Sequence, residues 1–459
     1  MNLLMLTRHM RGWISPFRQG RLKPGISPHL SFVFLLVAGI ASADSPPPAA
    51  ADLDFLKLPG GMFGVVENRP GMPVVSVAVY FPVGRSNEPS AGLARILAKC
   101  CVRGTVKRDA TALYEDTAKL GAEFYADTGY RMSFIGMEGP AVNMAAMVGL
   151  VLELAFRPAL TDESAQTERT FALGAVERQE DFTSLLFQRK VLQRMWPLHP
   201  ISLPSYGSGA SVKAVRAEDI RNLHRDVFLP SRCSVIVTGR ASPDDVRVAV
   251  ESAYIKLNLA DLSAAGRELQ PASLPEMPVG RRVRFKKQGS QAEVFAGCAV
   301  PAMKPAEEAA VDLLNEILTG FNGRLFISLR RRYGYVYYAM PVKIFTGDFG
   351  LWGIQTGTKP ANAEEVERII FRELETVSRE GVTDEEMRTA KATLETRQRR
   401  AASEAGGSAA ILAEYVARDW PVMSVRERTL VINSVTAEDV RAMAERLYNK
   451  GQLNVVISK

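Results

Sequence analysis

Histidine is nearly absent from these 459 residues: only His9, His29, His199 and His224 occur. No H-E-x-x-H or H-x-x-E-H pair exists, so the spacing that sets two imidazoles on one helix face is missing. His199, beside Pro200, reads as a structural loop residue, and His224 as a structural residue on a helix. Cysteine is equally sparse. Cys100, Cys101, Cys233 and Cys298 form no C-x-x-C pair and are too few for a disulfide scaffold. Adjacent Cys100 and Cys101 cannot bridge without strain and read as buried thiols. The nucleophile elbow, the phosphate-cradling loop and the dinucleotide fingerprint are also missing, which removes the commonest hydrolase, kinase and dehydrogenase designs. Residues 404–408 (Glu-Ala-Gly-Gly-Ser) are glycine-rich but hold no lysine, and they read as a flexible loop.

Long apolar runs are scarce as well. One stretch, residues 30–40 (LSFVFLLVAGI), stands out, and it is too short to span a bilayer. Arg8, Arg11, Arg18, Arg21 and Lys23 precede it, and Ala-Ser-Ala follows at 41–43. A basic start, an apolar centre and a small-x-small cleavage pattern are the layout of a secretory signal peptide over 1–43. The mature chain is then expected to begin near Asp44, in the periplasm, with no stable membrane span; an uncleaved anchor is the alternative. Those five basic residues account for most of the formal charge; without them +7 falls to +2. A nearly neutral body does not point to nucleic acid. At 47% hydrophobic and 23% charged, the chain has the composition of a globular protein.

What is present alternates between strand-like and helix-like runs. Residues 74–83 carry the β-branched and aromatic content of a buried strand, and helical spacing follows at 90–102 and 111–120. Two short strands are expected at 123–126 and 130–137, then an apolar helix at 142–156 and one long helix or two over 162–195. An internal repeat is visible. Val215-Arg216-Ala217-Glu218-Asp219-Ile220-Arg221 returns as Val435-Thr436-Ala437-Glu438-Asp439-Val440-Arg441, and an aromatic (Phe228, Tyr448) and a strand-like run follow each copy. The fold expected is α+β: two tandem homologous domains, each a mostly antiparallel sheet covered by helices. The boundaries expected are 44–257 and 281–459, joined by a polar, proline-containing linker at 258–280.

Gly92-Leu93-Ala94-Arg95-Ile96-Leu97-Ala98-Lys99, running on to Arg103-Gly104-Thr105, resembles the helix of the insulinase/pitrilysin zinc peptidases. Leu120-Gly121-Ala122, His199-Pro200 and the stretch from Gly323-Arg324-Leu325-Phe326 through Gly334-Tyr335-Val336-Tyr337 extend the resemblance over nearly all of the mature chain. In that family the helix reads G-L-A-H-x-L-E-H. Here Arg95 and Lys99 replace the two histidines and Ala98 replaces the glutamate that serves as general base. Glu177 falls near the position of the distant glutamate ligand. One carboxylate does not hold zinc, and two cations at i, i+4 repel a divalent ion. The resemblance therefore implies a chain with no catalytic residues, no metal and no bound cofactor. Arg95 and Lys99 are either solvated or available to a peptide carboxylate.

The second half keeps what the first has lost. Residues 325–332 (LFISLRRR) read as an amphipathic helix whose basic end suits the dipole, closed by Gly334 and followed by a strand. Arg330 and Tyr337, seven positions apart across that turn, match the arginine and tyrosine with which the family binds substrate. The resemblance implies a non-catalytic, substrate-binding subunit of a periplasmic heterodimeric zinc endopeptidase acting on peptides. Its partner would be a homologous catalytic subunit carrying H-x-x-E-H and the zinc. A structural scaffold in a larger complex and a peptide-binding homodimer without proteolysis stand as alternatives.

Overall fold

Strand-forming runs before and after the expected linker at 258–280 build two sheets of similar wiring. The computed structural model describes residues 52–449 and 454–458, apart from 180–182, 198, 263–265, 267–268, 271, 277–279, 281 and 286–290. The expected signal segment and part of the expected linker lie outside the described residues. Both sheets and all their helices belong to one unit, within Pro48–Lys459.

The first sheet contains β1 (Asp52–Lys57), β2 (Phe63–Asn68), β3 (Val74–Phe81), β4 (Glu123–Thr128), β5 (Ser133–Pro140) and β6 (Ser234–Gly239), in the order β1-β2-β6-β3-β5-β4. The second contains β7 (Arg282–Phe285), β8 (Ala292–Pro301), β9 (Val336–Phe345), β10 (Phe349–Thr358) and β11 (Asn454–Ser458), in the order β7-β11-β8-β10-β9. In each, the first strand of the shared five lies parallel to the last, β2 to β6 and β7 to β11. All other neighbours are antiparallel. Apart from the extra edge strand β1, the two orders superimpose, which gives the seven-residue repeat a structural counterpart.

Helices of the first half are α1 (Leu93–Cys101), α2 (Ala110–Lys119), α3 (Met144–Phe156), α4 (Asp162–Gln179), α5 (Thr183–Met195), α6 (Gly209–Ala214), α7 (Ala217–Val227) and α8 (Pro243–Lys256). Those of the second are α9 (Pro305–Thr319), α10 (Ala363–Glu380), α11 (Asp384–Ala402), α12 (Ala405–Ala417), α13 (Val425–Ser434) and α14 (Ala437–Asn449). The repeated Ala-Glu-Asp opens α7 and α14 for the same reason. The third-position carboxylate accepts the N–H of the residue before the helix, Arg216 N–H to Asp219 at 2.9 Å and Thr436 N–H to Asp439 at 2.8 Å. The repeat's first aromatic then locks the helix to the sheet, Phe228 stacking on Phe81 with centroids 4.0 Å apart. Burial of an aromatic of this size is worth about 1.5–3 kcal/mol.

Each half lends one helix to the other. Most first-half helices cover one face of the first sheet in a common apolar core. From α5, Phe187, Val191 and Leu192 instead pack on Phe295, Val342 and Leu351 of the second sheet. Reciprocally, Ala409, Leu412 and Ala413 of α12 cover Val65, Ala78, Tyr80 and Ile236 on the open face of the first. The sequence expectation for 404–408 is corrected here: it is the start of α12, not a loop. Its glycines serve close approach. Gly406 N–H donates to Glu138 Oε2 at 2.8 Å, and a side chain on Gly407 would stand 2.3 Å from the Ala401 carbonyl. Thr238 Oγ1 donates to the Ala405 carbonyl at 2.6 Å, fixing the helix start to β6.

Candidate functional site

Helix α1 begins at Gly92, whose φ of +91° only glycine adopts without strain, and a Cβ there would collide with the Tyr206 carbonyl. Glu88 reaches back to close the helix start, accepting from Gly92 N–H and Ala94 N–H at 2.8 Å each. Burial pushes its carboxyl up, against those donors and the nearby Arg85 and Arg95.

The three substituted positions sit together on α1. Ala98 is fully buried. Arg95 is not a free cation. Its Nη1 lies 2.7 Å from Asp127 Oδ1, its Nη2 donates to the Thr128 carbonyl at 2.8 Å, and the guanidinium covers the Tyr206 ring at 4.4 Å. It ties α1 to the end of edge strand β4 and to the loop before α6. Both options offered by the sequence, a solvated arginine or one open to a peptide carboxylate, are replaced by this internal role. Lys99, one turn on and half-buried, has no ion-pair partner among the described residues.

Glu177 lies on α4, exposed, and pairs with neither cation. The α4 carboxylate turned inward is Glu168, 2.5 Å from Arg103 Nε. Among the described residues no group of three His, Cys, Asp or Glu side chains is arranged to hold a metal ion. Two cations, a methyl group and a solvent-facing glutamate do not fit zinc.

The two described histidines are structural. His224 Nε2 lies 2.9 Å from the Ala155 carbonyl, and burial lowers its pKa to about 4. His199 accepts from Ile201 N–H at 3.3 Å through Nδ1 and meets the edge of Phe349, with centroids 5.1 Å apart, between the two halves. All four cysteines are free and buried; the Cys100 thiol, desolvated, is pushed up to about 12.

In the second half, Arg324 anchors the segment before the expected substrate-binding pair. Its Nε and Nη2 meet Glu386 Oε1 and Oε2 at 2.7 and 2.8 Å, a bidentate pairing. The expected amphipathic helix is wound more loosely, as a π-helix over Phe326–Arg332, a rare conformation often found at functional sites. Gly334 follows with φ +63°, as the sequence requires. The turn brings Arg330 Nη1 to the main-chain carbonyl of Tyr337 at 3.1 Å, while the Tyr337 ring stays 65% exposed. Tyr338, pointing the opposite way, donates to buried Glu293 at 2.5 Å. Sequence reasoning does not find the rings beneath the arginines. Phe326 lies 5.3 Å from the Arg330 guanidinium and 5.4 Å from that of Arg331, and exposed Phe321 stands 5.6 Å from Phe326. Their signal is only the aromatic content of residues 321–326.

The sequence pattern of Insulinase (Peptidase family M16) matches residues 64–209, and that of the Peptidase M16 inactive domain matches 214–394. The chain belongs to this family. It is 25% identical over 399 residues to an uncharacterized zinc protease of Streptomyces coelicolor, covering 84% of this chain and 85% of that one. Two solved structures share its fold. The peptidase M16 inactive domain from Pseudomonas fluorescens has a TM-score of 0.79 at 18% identity, over 89% of this chain and 98% of that one. A protease from Helicobacter pylori has 0.78 at 18%, over 89% and 100%. Among the described residues no helix is long and apolar enough to cross a membrane.

Proposed function

We propose that this chain is the non-catalytic, substrate-binding subunit of a periplasmic heterodimeric zinc metalloendopeptidase. The observation that carries the reading is an asymmetry between the halves. The metal positions hold Arg95, Ala98 and Lys99, with Arg95 committed to Asp127. Arg330 and Tyr337, by contrast, stand on an open surface with no acidic partner among the described residues. A homologous partner carrying H-x-x-E-H supplies zinc and the general base. This chain supplies hydrogen-bond donors, the Arg330 guanidinium and the Tyr337 hydroxyl, to the carbonyls of the bound peptide, where charge develops on attack.

Purification of this chain alone, and mixed with a homologous H-x-x-E-H subunit, tests the proposal. Peptidase activity is expected only in the mixture, with one zinc per heterodimer. Arg330→Ala and Tyr337→Phe are each expected to lower turnover while the complex still assembles. A mixture that assembles but cleaves nothing would mark a scaffold. Peptide capture by the chain alone, as a dimer without cleavage, would mark a binding homodimer.

A further inference from the structure

The surface around Arg330 carries a run of three cations. Arg330, Arg331 and Arg332 are consecutive, exposed and unpaired with any carboxylate among the described residues, whereas nearby Arg324 is clasped by Glu386. Arg331 makes its side-chain hydrogen bond to neutral Asn322 Oδ1, at 3.1 Å, and Arg330 makes its own to a main-chain carbonyl. Phe326 supports two of the three guanidinium groups on its ring. Such a platform holds the cations outward without neutralising them. The apolar side of the patch is as open: Phe321 is 76% exposed and Tyr337 65%.

The adjoining strand does not favour recognition through the backbone. Although β9 is the outer strand of its sheet, Pro341 within it has no N–H to donate, and Arg330 already occupies the Tyr337 carbonyl. Selection must come from side chains. We propose that this patch selects polypeptide segments in which carboxylates alternate with apolar side chains, so that the subunit directs acidic peptides to the shared cavity. This rests on the peptide-binding reading above and names its substrate class. Carboxylates meet planar guanidinium groups in a bidentate fashion, and the apolar residues between them cover Phe321 and Tyr337.

Fluorescence anisotropy on the purified full chain tests it with four labelled probes: a decapeptide alternating Glu with Leu, the same peptide with Gln for Glu, the same with Lys for Glu, and a single-stranded DNA decamer. The Glu peptide is expected to bind about tenfold more tightly than the Gln peptide, which is about 1.4 kcal/mol. The Lys peptide should bind weakest. The Glu-over-Gln ratio should collapse towards one in Arg331→Gln/Arg332→Gln and fall only partly in Arg331→Lys/Arg332→Lys, which retains the charge but not the bidentate geometry. Equal affinity for Glu and Gln peptides, a ratio untouched by the Gln variant, or tighter binding of the DNA decamer would each overturn acidic-peptide selection. Equal affinities that vanish in Arg330→Ala/Tyr337→Phe would leave the peptide-binding reading standing. Absence of binding by every peptide would remove both.

Discussion

Arg95 on α1 and Asp127 on β4 form an ion pair of 2.7 Å that joins the helix to an edge strand of the first sheet. The arginine side chain is 12% exposed and the aspartate 40%, so water reaches only one partner freely. A corresponding link of reversed polarity exists in the second half. There Glu308 and Asp312 on α9 hold Lys343 on edge strand β9, at 2.9 and 2.6 Å. Both halves thus fasten the helix after their central strand to the outer strand of the sheet by charge. In the first half, the residue that does so is itself a cation, whose charge opposes a divalent ion.

If the Arg95 link is structural, its loss should register as stability. Arg95→Gln is expected to cost about 1–2 kcal/mol, combining a half-exposed ion pair, a hydrogen bond to the Thr128 carbonyl and the Tyr206 contact. Urea unfolding of Arg95→Gln, Asp127→Asn and the double variant isolates the pair itself, with a coupling of about 1 kcal/mol expected. Strict additivity would show that the two charges do not communicate.

Zinc uptake is the complementary measurement. The chain equilibrated with zinc and passed through a desalting column is expected to retain far less than one equivalent. Restoring Arg95→His, Ala98→Glu and Lys99→His together should raise retention only weakly, because exposed Glu177 pairs with nothing on α1. Stoichiometric, chelator-sensitive zinc on the unaltered chain would overturn the assignment of these positions.

Arg95 also shows where a sequence stops being legible. That Arg95 and Lys99 stand one turn apart, where the resembling helix carries imidazoles, can be read from eight consecutive residues, because chemistry at i, i+4 is local to one helix. What Arg95 does instead depends on Asp127, Thr128 and Tyr206, brought in by a strand and a loop that no spacing rule connects. The same division holds for the fold. The 220-residue repeat betrays the doubled sheet because Asp219 and Asp439 each close their own helix locally. The exchange of α5 and α12 between halves leaves no local trace, since an apolar helix face does not say which sheet it covers. Gly406 and Gly407 read as a loop because adjacent glycines usually weaken a helix. Only contact with Glu138 and the Ala401 carbonyl reveals why they are tolerated.

Gly407→Ala opposes two known effects. In an exposed helix the change would stabilise by about 1 kcal/mol through helix propensity. Here the added Cβ would meet the Ala401 carbonyl at 2.3 Å, a backbone atom that cannot swing aside. Net destabilisation of about 1–3 kcal/mol is expected, read by thermal or urea unfolding. A stabilised variant would mean that the turn joining α11 to α12 relaxes freely.

Acid sensitivity should trace to His224. Its folded pKa of about 4 lies below the ordinary histidine value, because burial disfavours the charged ring and outweighs the hydrogen bond to Ala155. The unfolded chain therefore takes up a proton near pH 6.5 that the folded chain accepts only near pH 4. Stability is fully present above the unfolded value and declines as pH falls through this window. Between about pH 7.5 and about pH 5 the loss from this one group is about 2 kcal/mol. The paired carboxylates Asp219 and Asp439, held below the usual range by their hydrogen bonds, lose their contribution only at lower pH. Denaturant midpoints of the unaltered chain and of His224→Gln, compared across that interval, separate the two. The variant should lose most of the slope while its stability at about pH 5 approaches that of the unaltered chain. An undiminished slope would assign the acid response to other groups.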